Sequence, residues 1–110
     1  MLTYDQAKVQ LGNRKSKKLG HETWLEAREN AIAVRYHRTD VVTIHEDNTY
    51  ELNNGGWATS TTKKRLNQYS PAKIYQHKYS WYLWTPEGPV SYFNGIKVNS
   101  FGEVLKEVLR

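Results

Sequence analysis

A phosphate-sized anion is held by backbone N–H groups at a helix start, by hydroxyls and by cations. The run Thr61-Thr62-Lys63-Lys64-Arg65 supplies all three kinds of donor. It follows an Asn53-Asn54-Gly55-Gly56 turn and a short extended piece around Trp57 to Thr59. Thr61 or Thr62 is the predicted N-cap of a basic helix near 62–69 that ends by Tyr69, because Pro71 disfavours helical geometry at Ser70. Cations in the first turn oppose the positive end of the helix dipole by about 0.3–1 kcal/mol each. That corner therefore suits a negatively charged ligand, with Trp57 as a ring able to stack on it. The plain alternative is three solvated side chains above an ordinary cap.

A second basic cluster, Arg14, Lys15, Lys17 and Lys18, reads as a solvated loop or edge strand, or else as an arm that contacts phosphates. His37 and His45 fall on the polar faces of two strands that could be neighbours. If the register brought them together they could serve as acid and base on a phosphodiester or hold a metal, with Lys63 or Arg65 against the developing charge. No diagnostic spacing supports either role, so the expected catalytic and metal sets are empty and no cofactor is implied. His21 and His77 sit beside charged residues and are expected at the surface.

Other chemistry is excluded more firmly. The 110 residues contain no cysteine, so thiol nucleophiles, thiolate metal sites and disulfides are ruled out. Neither a Gly-x-Ser-x-Gly elbow nor a glycine-rich nucleotide loop occurs. Sixteen Lys and Arg against eleven acids give a net charge of +5, which favours anionic partners. No apolar run approaches the length of a membrane span, and the start lacks the apolar centre of a signal peptide. The chain is expected to be soluble.

Hydropathy patterning sets the elements that must position these residues. A Thr3/Gln6 capping box opens a short helix through Ala7 and Leu11 that stops at Gly12. From Thr23 the period becomes two. Ile32 to Tyr36, Val41 to His45, and Tyr50 with Leu52 form a predicted antiparallel meander with short turns. Ile74 to His77 and Tyr79 to Trp84 are further strands, the latter either buried on both sides or exposing a stacking surface. Asn94-Gly95 between apolar residues predicts a two-residue hairpin turn. Ser100 and Glu103 form a second capping box, before an apolar stripe of Phe101, Val104, Leu105, Val108 and Leu109. That amphipathic helix is expected to pack on the sheet, or failing that to make a homodimer. With low hydrophobic content but eight Tyr and four Trp, large rings are expected to fill the core.

The segments Thr39-Asp40-Val41-Val42-Thr43, His45, Asn53, Gly55-Gly56-Trp57, Thr59, Thr61-Thr62-Lys63, Arg65 and Asn67, with Lys18-Leu19-Gly20 and Thr23-Trp24-Leu25 upstream, resemble a pattern in small tailed-bacteriophage accessory proteins. The shared signature is Gly-Gly-Trp-x-Thr-x-Thr-Thr-Lys, and the likeness spans roughly Asn13 to Tyr69. Members often carry a basic residue where this chain has Ala58. The resemblance implies an accessory protein acting in the cytoplasm of the bacterial host, on host factors, nucleic acid or defence components.

The sequence thus predicts one α+β domain over 1–110, a mainly antiparallel sheet with a C-terminal amphipathic helix and a short basic helix. The first function is non-catalytic binding of a nucleic acid or nucleotide through Trp57, Thr61, Thr62, Lys63, Lys64 and Arg65. Inhibition of a host or anti-phage defence complex is the second, and a small His-dependent nuclease the third. No membrane partner is expected.

Overall fold

Thr3 accepts a hydrogen bond from Gln6 N while the Gln6 side chain accepts from Thr3 N, and this capping box opens α1 (Tyr4–Leu11), which ends at Gly12. The computed structural model describes residues 1–105. After α1 the chain runs through β1 (Ser16–Gly20), β2 (Thr23–Arg28), β3 (Ala31–Tyr36), β4 (Thr39–His45) and β5 (Tyr50–Leu52). Then come α2 (Ser60–Tyr69), β6 (Ile74–His77), β7 (Ser80–Thr85), β8 (Gly88–Ser91) and β9 (Ile96–Val98).

The meander is antiparallel throughout, and β9 returns to pair with β5, giving a six-stranded sheet in the order β1-β2-β3-β4-β5-β9. Because side chains alternate between faces, register alone lines up the core. Leu25, Val34, Val42, Leu52 and Ile96 form one lane across five strands, and Ile32, Ile44, Tyr50 and Val98 form the next. Every residue of both lanes is buried. Ala7 and Leu11 of α1, Leu66 of α2, and Ile74, Trp81 and Leu83 from a separate three-stranded sheet, β6-β7-β8, complete the same cluster. A β-bulge interrupts the alternation: Val34 pairs with Val42 but Arg35 pairs with Asp40, leaving Val41 extra. Val41 and Val42 are consequently both buried.

Three expectations need correction. Among the aromatic residues only Tyr50 and Trp81 are buried, and the core is otherwise aliphatic. Asn94-Gly95 does form a turn, with Ile96 N donating to the Phe93 carbonyl, but only Gly95 has positive φ. It links β8 to β9, which lie in different sheets, so no hairpin results. The predicted C-terminal helix is also not formed over Ser100 to Leu105. Asn99 Oδ1 accepts from Phe101 N and Glu103 N, Gly102 takes φ of 80°, and Val104 comes back antiparallel to Val98. The Asn99 side chain thus satisfies the donors that a helix would have used, and it turns the chain onto β9 instead. Val108 and Leu109 of that stripe lie outside the described residues.

Candidate ring and cation cleft

The β3–β4 turn and the loop entering α2 face one another across a cleft of about 420 Å³. Tyr36, His37, Arg38, Thr39 and Val41 line one side, and Asn54, Trp57, Thr59 and Thr62 the other. Local chemistry fixes both walls. The bulge at Val41 carries the strand into the turn, where His37 adopts a φ of 55° and donates its N–H to the Glu22 carbonyl. Opposite, Asn53 and Asn54 side chains accept from Gly55 N and Gly56 N at 2.7 and 2.8 Å, folding the loop on itself. Gly55 has φ of +64°, and a Cβ there would meet Thr39 Oγ1 at 2.2 Å, so glycine is what lets the two walls meet.

The loop is anchored from outside by a polar relay. Tyr92 donates its hydroxyl to Asn94 Oδ1 at 2.6 Å, and the same oxygen accepts Asn54 N at 3.0 Å. Burial pushes the Tyr92 phenol up to about 12, opposed by a hydrogen bond with the Asn54 backbone. Trp57, held at the end of this loop, is 70% exposed.

The cap of α2 differs from the one expected. Thr59, not Thr61 or Thr62, is the N-cap, and its hydroxyl accepts from Thr62 N at 3.2 Å and bonds to Thr62 Oγ1 at 2.9 Å. The Thr59 hydroxyl meets both the N–H and the hydroxyl of Thr62, so the helix begins at Ser60, with Thr62 and Leu66 on its buried face. Lys63, Lys64 and Arg65 therefore fall in the second turn, where the dipole acts weakly. Successive helical residues are about 100° apart, so the three fan out over about 200° rather than converging. Lys64 is exposed, Lys63 is half-buried, and the Arg65 guanidinium lies 5.8 Å from the Tyr36 ring. Of the residues expected to bind, Trp57 and Thr62 line the cleft, whereas Thr61, Lys63, Lys64 and Arg65 do not.

The second basic cluster separates into individual roles. Arg14 donates to the carbonyls of Gln10 and Leu11 and so caps the end of α1. Lys17 and Lys18 point to opposite faces of the edge strand β1, and Lys18 lies 5.8 Å from the Trp24 ring. Lysines on an edge strand also discourage pairing with other chains. The histidines are apart as well. His45 pairs with Ala31 at one end of β4 while His37 follows Tyr36 at the other, roughly 20 Å away at ~3.3 Å per residue. His37 Nδ1 lies 3.6 Å from Glu22, and no cluster of three or more potential metal ligands occurs among the described residues.

Sequence reasoning missed Tyr36, Arg38, Thr39, Val41, Asn54 and Thr59 as cleft residues. The bulge in the β3–β4 wall has no local signature, although the Asn-Asn-Gly-Gly loop of the other wall was visible as a turn. The described residues form an α+β fold of two antiparallel sheets and two helices, and among them no helix is long and apolar enough to cross a membrane. The chain matches the Kyanoviridae Gp96 protein family over residues 5–99, and it belongs to that family of cyanophage proteins. No curated protein and no solved structure matches the chain.

Proposed function

We propose that this phage protein is a non-catalytic binder of an anionic partner, a nucleotide or one unit of a nucleic acid, in the cytoplasm of the infected bacterium. The carrying observation is the lining of the cleft. It holds the rings of Tyr36 and Trp57, the cation Arg38 and the hydroxyls of Thr39, Thr59 and Thr62, and its lining includes no acid. Rings take a base, cations and hydroxyls take a phosphate, and about 420 Å³ is within the size of small-ligand sites. Arg65 behind Tyr36, with Lys63 and Lys64 on α2, adds positive field, since α2 contains no acid.

Titration with ATP and with an oligothymidylate of about twelve nucleotides, followed by Trp fluorescence at low and high salt, tests this reading. Trp57→Ala and Arg38→Ala are each expected to weaken binding by about tenfold, the size of one lost stacked ring or charged contact. Absence of binding to both probes at low salt would remove the proposal. The second reading, docking to a host or defence protein, draws on Tyr79 and Phe101, which are 96% and 79% exposed. An apolar contact of that kind would change little with salt.

A further inference from the structure

The outer face of the β6-β7-β8 sheet carries a different arrangement from the cleft. Along β7 the side chains of Trp81, Leu83 and Thr85 are buried, while Ser80, Tyr82 and Trp84 face outward. Register places Tyr75 beside Tyr82 and Pro89 beside Trp84, so a band of rings crosses the sheet. Tyr75 and Tyr82 are stacked, with centroids 5.8 Å apart and planes at 27°, and Trp84 is 57% exposed. Lys73 and His77 flank Tyr75 on the same face of the strand, and Lys78 and Tyr79 form the turn at one end. Glu87 is the only acid between Lys73 and Ser91, and it lies in the turn after β7.

We propose that this face is a base-stacking platform for single-stranded nucleic acid, a surface separate from the Trp57 cleft. Exposed rings backed by a buried layer and edged by cations are what a strand with unstacked bases requires. Tyr82 and Trp84 are two residues apart on one strand, roughly 7 Å, about twice the ~3.4 Å spacing of stacked bases in a duplex. The spacing therefore suits a splayed single strand. The β6–β7 turn supports the same reading. Lys78 and Tyr79 both have positive φ, at 48° and 69°, in positions where Asn-Gly is the easy choice. A cation and a ring are held there, in solvent, despite the backbone cost.

The test uses the full-length protein and three probes: an oligothymidylate of about twelve nucleotides, an abasic strand of the same length, and the corresponding duplex. The oligothymidylate is expected to bind best. Trp84→Ala and Tyr82→Ala should each weaken it by about tenfold, and Trp84→Phe should retain most of the affinity. The paired change Lys78→Asn with Tyr79→Gly should raise the melting temperature while weakening binding, an outcome that a merely structural role cannot produce. Equal affinity for the abasic strand would overturn stacking. Unchanged affinity in the Trp84 and Tyr82 variants, alongside a loss in Trp57→Ala, would assign all binding to the cleft. No binding of any probe at low salt would overturn the platform and leave the face to a protein partner.

Discussion

The two sheets present opposite kinds of outer surface. On the six-stranded sheet the outward residues neutralise one another: Arg28 with Asp40 at 2.9 Å, Arg35 with Glu26 at 2.6 Å and Lys97 with Glu51 at 3.9 Å. The Asp40 hydrogen bond holds the Arg28 guanidinium still more firmly protonated than usual. Ala33, on that same face, is fully buried, although its side chain alternates away from the core lanes of Ile32 and Val34. Most charges of this surface are paired, and Lys18 lies over the Trp24 ring instead. The three-stranded sheet instead shows rings with no layer over them among the described residues, and two lysines without a carboxylate partner in those residues. Burial of apolar area is the main favourable term in folding, so exposed rings backed by a sound core add little to fold stability.

That contrast can be broken in stages. The largest effect is expected from Leu83→Ala, which empties a fully buried site behind the ring band. It should cost about 2–5 kcal/mol in chemical denaturation, and it should disorder the aromatic face while the paired-charge face keeps its ion pairs. Gly55→Ala comes next. The left-handed backbone and the Thr39 clash should cost about 1–3 kcal/mol, and binding in the Trp57 cleft should weaken while the aromatic sheet is unaffected. A double-mutant cycle on Arg35 and Glu26 should return a coupling of about 0.5–1 kcal/mol, fading with salt, and no change in oligonucleotide affinity. A large affinity change there would mean that the charged face also binds.

The smallest effect is confined to alkaline solution. The Tyr92 phenol ionises near 10 in the unfolded chain and at about 12 in the fold. Its burial therefore stabilises the protein fully below pH 10, and that contribution is lost as pH rises toward 12. Tyr92→Phe should flatten the decline of melting temperature across that window, leaving the share of Tyr50, whose phenol burial also raises. A profile identical to the parent's would show that Tyr92 ionises as freely folded as unfolded.

Local patterning was enough for much of the fold. The Thr3/Gln6 capping box, the alternation in β3, β4 and β5, the strand at Ile74–His77 and the stop at Pro71 are each decided by residues within a few positions of one another. Such signals survive in the sequence because hydrogen-bond reach and side-chain period are short-range properties. The site was less legible. Trp57 and Thr62 could be singled out, but the convergence of three cations on a helix start could not survive the true cap at Thr59, whose hydroxyl bonds to Thr62.

By itself, the sequence determined an antiparallel α+β protein with a positive balance, surplus rings and no thiol chemistry. Only the tertiary structure decided where those rings went. The bulge at Val41 and the close approach of Gly55 to Thr39 brought Tyr36 and Trp57 to one cleft, and the register of β6 with β7 put Tyr75, Tyr82 and Trp84 on a single outward face. The seven-residue length of β4 keeps His37 and His45 at opposite ends. The approach of Gly55 to Thr39 joins separate loops, and the pairings of β3 with β4 and of β6 with β7 are set by register, where a shift of one position would turn every side chain to the other face.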